Sequence, residues 1–464
     1  MRLLLSFTVV LHLPCFALSN ETAAKPNVLF LIADDLACEL GCYGNGQAIS
    51  PHLDRLASSA VRFDRAYVQY PVCNPSRSSF LTGLRPETTR ILDNATKVRQ
   101  NLPDVVTLPQ LFRKHGYAAH GLGKIFHRGL NPDEPRPEMD DPASWDDVFY
   151  GKATPLGNEG DGRNLTGGKL PWCRWKAANG TDEEQADGQL AAKAVALLEA
   201  NRNKPFFLAV GFYRPHDPYQ SPKKYFDLHP LEKFPLPQTP AGYEPPNRFA
   251  LPGGAFAASF KAFGEAEKRE YLRAYHAGVT FMDAQVGRIL AALDRFDLAK
   301  NTIVVFVGDH GYELGRRGWW NKNTLFENSC RAPLVVRAPA AGGGYLSAGK
   351  AAGGIVEFID LFPTLCDLAG VPAPAGLQGT SFKKLLEDPA AKGKDAAFTI
   401  VQRGKIRGRS VRTERWRCTE WDGGAGGIEL YDHDVDPDEW KNLAGDPAHS
   451  ETLRSLRAMF PRSP

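Results

Sequence analysis

The sequence carries little excess charge: over 464 residues the formal net charge at pH 7 is +3. That is too small to argue for nucleic acid or a membrane surface as a partner, so any basic patch must be local. Internal repeats and low-complexity tracts are missing too, which removes solenoids and disordered chains from consideration. Beyond the N-terminus no stretch is apolar enough for long enough to cross a bilayer, and stable membrane insertion is not expected. Zinc-type pairing is lacking as well. Cys38 and Cys42 stand four apart near acidic residues, but no second Cys/His pair with ligand spacing follows. The acidic run Leu430 to Glu439 has neither the glycine at the sixth loop position nor the terminal glutamate of an EF-hand, so calcium is not assigned there. What is present is an ordinary globular composition, 43% hydrophobic and 23% charged, enough for one large core and a smaller one.

The N-terminus reads as a targeting segment. Arg2 precedes a mostly apolar run from Leu3 to Leu18, and Ala17 and Ser19 are placed like a cleavage site, so residues 1–19 are expected to be a signal peptide. Pro14 interrupts that run and is a poor neighbour for a lipidated Cys15. Export is therefore expected, to the periplasm, the exterior or the lysosome according to the host. Six cysteines remain once Cys15 and Cys73 are set aside, and their spacing selects no disulfide pairing. Sequons begin at Asn20, Asn94, Asn164 and Asn179, and matter only in a host that glycosylates.

Three apolar runs, Asn27 to Ile32, Phe206 to Phe212 and Thr302 to Val307, have the pattern of central strands buried on both faces. Each hands a charged cluster to the loop that follows: Asp34-Asp35, then Arg214-Pro215-His216-Asp217-Pro218, then Asp309-His310-Gly311. Adjacent carboxylates repel unless a cation lies between them. Ligands in open α/β sheets bind at the carboxyl ends of strands, so the three tips predict a metal-assisted site at one sheet edge. Arg331 to Val336 reads as a further strand. The spacing predicts helices from Pro51, over Leu108–His115, from a capping box at Thr181 to about Asn201, and over Glu265–Phe296 with a break near Gly278. Residues 128–171 and 219–262 read as long irregular loops of the kind that shape a pocket rim. Trp319 and Trp320 are candidates for the wall of a sugar pocket. A Pro/Gly-rich stretch places a boundary near 375, dividing a main domain, 26–375, from a small C-terminal α+β unit, 376–464.

The organising stretch is Val72-Cys73-Asn74-Pro75-Ser76-Arg77-Ser78-Ser79-Phe80-Leu81-Thr82-Gly83. Asn74 is a good N-cap residue and Pro75 suits the first helical position, so a helix is expected to start there. Cys73 then lies just ahead of it, where free N–H groups and the helix dipole favour an anion. Arg77 adds a planar cation suited to oxyanions. Further along, Lys124 and His127 in Gly123-Lys124-Ile125-Phe126-His127 share one side of a turn, and Lys322 follows the tryptophan pair. Asp34, Asp35 and Asp309 are hard oxygen ligands that suit Ca²⁺ or Mg²⁺.

Cys-x-Pro-Ser-Arg followed by Leu-Thr-Gly resembles the signature of the type I sulfatases, whose cysteine is oxidised to formylglycine. The Asp-Asp pair, Gly-Lys, the strand-end His216, Asp309-His310-Gly311, Val356 to Leu365 and Gly376 to Ser381 match the same family in order along nearly the whole mature chain. Within it the similarity is greatest to the iduronate-2-sulfatase group, carried by Gly123 to His127, Phe206 to Gly211 with Arg214-Pro215-His216, and His310, where many members have Asn. The resemblance implies an alkaline-phosphatase-like α/β fold: a mostly parallel central sheet flanked by helices, with the smaller C-terminal subdomain. It also implies hydrolysis of sulfate esters on a sulfated saccharide, with 2-O-sulfated iduronate or uronate favoured and a formylglycine-generating enzyme as maturation partner. One Ca²⁺ would be held by Asp34, Asp35, the modified Cys73, Asp309 and His310. Arg77 and Lys124 would hold formylglycine and sulfate, His216 or Lys322 would protonate the leaving sugar, and His127 would accept the proton that expels sulfate. Arg214, Arg316 and Arg317 are candidates to meet a uronate carboxylate. Alternatives are a sulfatase for another polysaccharide, a phosphoesterase or phosphonate hydrolase of the same superfamily, a non-catalytic binder with unmodified cysteine, and a structural glycoprotein.

Overall fold

The computed structural model describes residues 25–127 and 139–461; the expected signal peptide and part of the 128–171 loop lie outside them. The main sheet contains β1 (Asn27–Asp34), β2 (Val61–Phe63), β3 (Ala118–Gly123), β4 (Asp147–Phe149), β5 (Phe206–Pro215), β6 (Thr302–Gly308), β7 (Leu334–Arg337) and β8 (Lys350–Ala352). Their spatial order is β8-β2-β7-β6-β1-β5-β3-β4. All neighbours are parallel except β7, which runs antiparallel to both β6 and β2. β1, β5 and β6, the three apolar runs, lie side by side at the centre, so their carboxyl ends emerge together.

Period-two alternation feeds two cores. Leu29 and Leu31 of β1 point to one face, against α4 (Ala186–Ala200) and α5 (Glu265–Arg295); Val28, Phe30 and Ile32 point to the other. That second face carries α2 (Cys73–Thr82), α3 (Leu108–Lys114) and α6 (Leu361–Ala369); α1 (Pro51–Ala57) packs with α5. Each of these fully buried side chains contributes about 1.5–3 kcal/mol of transfer free energy, so the sheet centre is the rigid platform for its loop tips.

Several expectations need correction. α5 is continuous through Gly278. A Cβ there would come within 3.3 Å of Pro215, so the glycine serves close approach of the His216 loop rather than a break. The Thr181 segment forms a short 3₁₀ turn, Asp182–Glu184, and α4 starts only at Ala186. The two irregular regions contain short strands, Gly160–Asn164 and Tyr219–Pro222, and short helices, Lys223–Asp227 and Ala255–Lys261.

The C-terminal sheet is an antiparallel meander of β9 (Ala397–Arg403), β10 (Ile406–Arg412), β11 (Trp416–Trp421) and β12 (Gly427–Asp432), covered by α7 (Ser450–Ala458). An ion network joins it to the main sheet's loops. Arg417 is paired with both Glu327 and Glu439, and Arg412 reaches Glu327 at 3.2 Å. Glu327, His433 and Glu439 have metal-like grouping, but arginines already occupy the carboxylates.

Candidate active site

Cys73 is the first residue of α2, with extended Val72 as its N-cap. Asn74 is not the cap: its side-chain amide donates to the carbonyls of Asp93 and Thr96, both at 2.8 Å, tying the loop beyond α2 to the helix start. The thiol is fully buried. Burial, with Asp34 next in weight, pushes it far above its ordinary range, so it is a neutral thiol rather than an activated thiolate.

Around that sulfur the loop tips converge. A register shift between Ala33 and Asp34 re-aims the end of β1, and Asp35 takes a left-handed backbone, φ 61°. Two contacts hold that conformation: the Asp35 N–H donates to Asp309 Oδ1 at 2.9 Å, and the Tyr275 hydroxyl donates to the Asp35 carbonyl at 2.9 Å. Arg77, wholly buried, donates to Asp309 Oδ2 at 2.8 Å and Asp34 Oδ1 at 3.2 Å, and its guanidinium also meets the carbonyls of Lys124 and Ile125. Lys124 pairs with Asp34, and Lys322 pairs with Asp35 while its Nζ lies 3.0 Å from Cys73 Sγ. His310 Nε2 is 3.5 Å from the same sulfur and 3.3 Å from Asp35 Oδ1. His216 Nε2 is 3.6 Å from Asp35 Oδ2. His127 is buried close enough to feel Lys124, Asp34 and Arg77, and its Nδ1 has no hydrogen-bond partner among the described residues.

Three carboxylates and three cations thus share one buried cluster. Burial alone would raise Asp34, but Lys124, His216, Arg77 and Lys322 hold it well below the usual carboxylate range. Asp35 is raised by burial and by Asp34 and Asp309, against Lys322 and His310. Lys322 is held well above its ordinary value by Asp35, Cys73 and Asp34 despite burial. Burial lowers His127, His216 and His310.

The donor set fits a hard divalent cation. Asp34, Asp35, Cys73 and His216 offer atoms within 4.8 Å of one another, as do Cys73, Asp309 and His310, and Asp35 Oδ2 is buried without a hydrogen-bond partner among the described residues. A cation there would satisfy that oxygen and leave the balanced cluster net positive, suited to an anionic substrate.

Some residues sit elsewhere or went unread. Trp319 and Trp320 are buried in the core against Phe260 and Tyr271, not on a pocket wall. Arg317 is buried, pairing with Glu313 at 3.2 Å and lying over the Phe326 ring, so it cannot meet a uronate. Arg214 is buried against the carbonyls of His216 and Pro218; Arg316 stays partly exposed near Glu39 and Asp438. Missed residues include Asp187, which accepts from the Tyr213 and Arg214 N–H groups at 2.9 and 3.0 Å and so fixes the His216 loop. Asp217, 3.5 Å from His216 Nδ1, has no role that the sequence alone reveals; burial, then Asp35, pushes it up to about 8. The described cysteines are all free, and no helix among the described residues is long and apolar enough to cross a membrane.

Comparison with known proteins agrees with this geometry. Residues 26–371 match the family model described as Sulfatase, and residues 315–462 match that of the N-sulphoglucosamine sulphohydrolase C-terminal region. Mouse iduronate 2-sulfatase is 32% identical, with 98% of each chain covered. Delta 4,5-hexuronate-2-O-sulfatase of Bacteroides thetaiotaomicron is 28% identical over 95% of this chain and 89% of its own. Among solved structures, the phosphonate monoester hydrolase of Silicibacter pomeroyi superposes with a TM-score of 0.76 at 24% identity, covering 94% of both chains, and so shares the alkaline-phosphatase-like fold. The chain belongs to the sulfatase family of sulfuric ester hydrolases, close to its iduronate 2-sulfatase members.

Proposed function

We propose that this enzyme hydrolyses the 2-O-sulfate of iduronate or a related uronate in a glycosaminoglycan-like saccharide, using formylglycine made from Cys73 and one calcium ion. The observation that carries this reading is the convergence of Asp34, Asp35, Asp309, Arg77, Lys124 and Lys322 on the Cys73 thiol at a buried helix start. Relatives named for iduronate 2-sulfate and hexuronate 2-O-sulfate support the choice of sugar.

Asp34, Asp35, Asp309, His310 and residue 73 would hold the ion, which supplies charge against the sulfate oxygens. Once matured, residue 73 carries an aldehyde whose hydrate has one hydroxyl to attack sulfur and a second whose deprotonation releases sulfate. Arg77 and Lys124 orient that residue and the sulfate group through charge-assisted contacts. To Lys322, whose Nζ lies 3.0 Å from the sulfur of residue 73, or to His216 we assign the proton given to the departing sugar oxygen. To His127, whose burial lowers it below its ordinary range and whose Nδ1 has no hydrogen-bond partner among the described residues, we assign the proton from the second hydroxyl. Cys73 is fully buried, so the formylglycine-generating enzyme must meet the chain before this site closes. That order suits modification during export.

The test is sulfate release by matured enzyme from a disaccharide bearing uronate 2-O-sulfate, against its 6-O-sulfated isomer and a phosphonate ester. A kcat/KM at least about 100-fold higher for the 2-O-sulfate is expected, the discrimination that misplacing one charged group imposes. A preference for the phosphonate ester would overturn the reading.

A further inference from the structure

A groove of about 610 Å³ follows the outer face of the β9–β10 hairpin. Strand alternation decides what lines it. Gln402 pairs with Arg407 and Ile400 with Arg409 along this face. Val401 and Gly408, one step out of phase, turn inward, where Gly408 lies against Trp421 and Leu325. Arg85, just beyond α2, and Lys405, at the hairpin turn, complete a set of four cations facing two carboxylates, Glu87 and Asp422. Two cations are already engaged: Arg85 bonds Glu357 at 2.6 Å and Arg409 bonds Glu420 at 2.7 Å. Lys405 and Arg407 are exposed, and neither has a carboxylate partner among the described residues. Phe398 adds a half-buried ring with the Arg85 guanidinium 5.5 Å from its centre.

The hairpin is joined to the active-site cluster. Arg403, two residues before Lys405, reaches Asn323 Oδ1 at 3.0 Å and also its carbonyl, and the Asn323 N–H donates to the Pro71 carbonyl at 3.1 Å. Lys322, the residue before Asn323, has its Nζ 3.0 Å from Cys73 Sγ. From the turn to Phe398 the strand covers roughly 20 Å at about 3.3 Å per residue, longer than a disaccharide. The whole chain has only +3 of net charge, so two unpaired cations at one end of a groove that has an aromatic ring towards its other end form a local feature with its own ligand chemistry.

We propose that this groove binds the anionic saccharide chain beyond the sugar being desulfated, with Lys405 and Arg407 as its charge contacts to sulfate or carboxylate groups. The proposal rests on the saccharide-sulfatase reading above and adds chain-length preference to it. Lys405→Ala with Arg407→Ala removes both contacts without disturbing any described hydrogen bond or ion pair. With matured enzyme, the KM for a uronate-2-O-sulfated glycosaminoglycan octasaccharide should rise about 5- to 10-fold. Its dependence on log salt should flatten by about one for each cation lost, as counterion release requires. The kcat/KM for the corresponding disaccharide should stay within about twofold. An unchanged octasaccharide KM, or an equal loss on both substrates, overturns the groove. If neither saccharide is cleaved, the substrate reading is what has failed, and calorimetric binding of the same octasaccharide decides the groove separately. Tighter binding by the unsubstituted protein than by the double variant sustains it. Equal binding, or binding only to anionic vesicles, overturns it.

Discussion

Cys73→Ser should lower kcat by at least about 1,000-fold while the protein stays folded. A serine hydroxyl or an unmodified thiol can attack sulfur once, but the resulting ester has no second hydroxyl whose deprotonation releases sulfate, so turnover stops. The loss falls on kcat rather than KM, because Arg77, Lys124 and Lys322 still meet the anion. Serine is close in size to cysteine, and the site is held by Asp and Arg contacts that do not involve the sulfur, so the melting temperature should change little. Steady-state kinetics beside a thermal melt check both halves. Turnover by the serine variant within about tenfold of the parent would mean that the aldehyde is not the nucleophile.

Arg77→Met should be the most damaging change to stability in the site. The guanidinium is wholly buried and spans Asp34 and Asp309, with two carbonyls behind it. Removing it leaves two buried carboxylates short of a partner, a loss of about 3–5 kcal/mol, which is a large share of the stability of an ordinary domain. Arg77→Lys restores charge but not the fork that reaches both acids, so it should recover only part. Because a bound divalent cation would neutralise the same carboxylates, calcium should raise the melting temperature of Arg77→Met by more than that of the parent. Melts with and without chelator measure this; an unchanged melting temperature in Arg77→Met would show that the cluster is not held through this residue.

The sheet and its tips were legible because they depend on the strongest sequence signal. Continuous apolar runs of six or seven residues are too short for an ordinary helix and suit strands covered on both faces, and parallel neighbours put their ends on one edge. The start of α2 lies two residues earlier than expected, because Asn74, a good cap in isolation, spends its amide on carbonyls of residues 93 and 96. Local propensity could not see that tertiary competition. Gly278 misled in a similar way: its intrinsic cost in a helix argued for a break, whereas Pro215 packed at 3.3 Å explains its presence in an intact one. Charge alone also failed to separate ligand-facing from structural arginines. Arg317 is matched by Glu313 and Glu439, and that pairing depends on how the C-terminal sheet docks. Asp187 lay in an ordinary amphipathic helix, and only the fold shows it accepting two N–H groups from the His216 loop.

The account depends on residue 73 having left the cysteine state in active molecules. The most direct measurement is mass spectrometry of the peptide carrying residue 73, across preparations matured to different extents, set against their specific activity on a sulfate ester. Activity should rise in proportion to the aldehyde-bearing fraction and extrapolate to zero where all of residue 73 is thiol. Full activity in a preparation whose residue 73 is unmodified cysteine would contradict it.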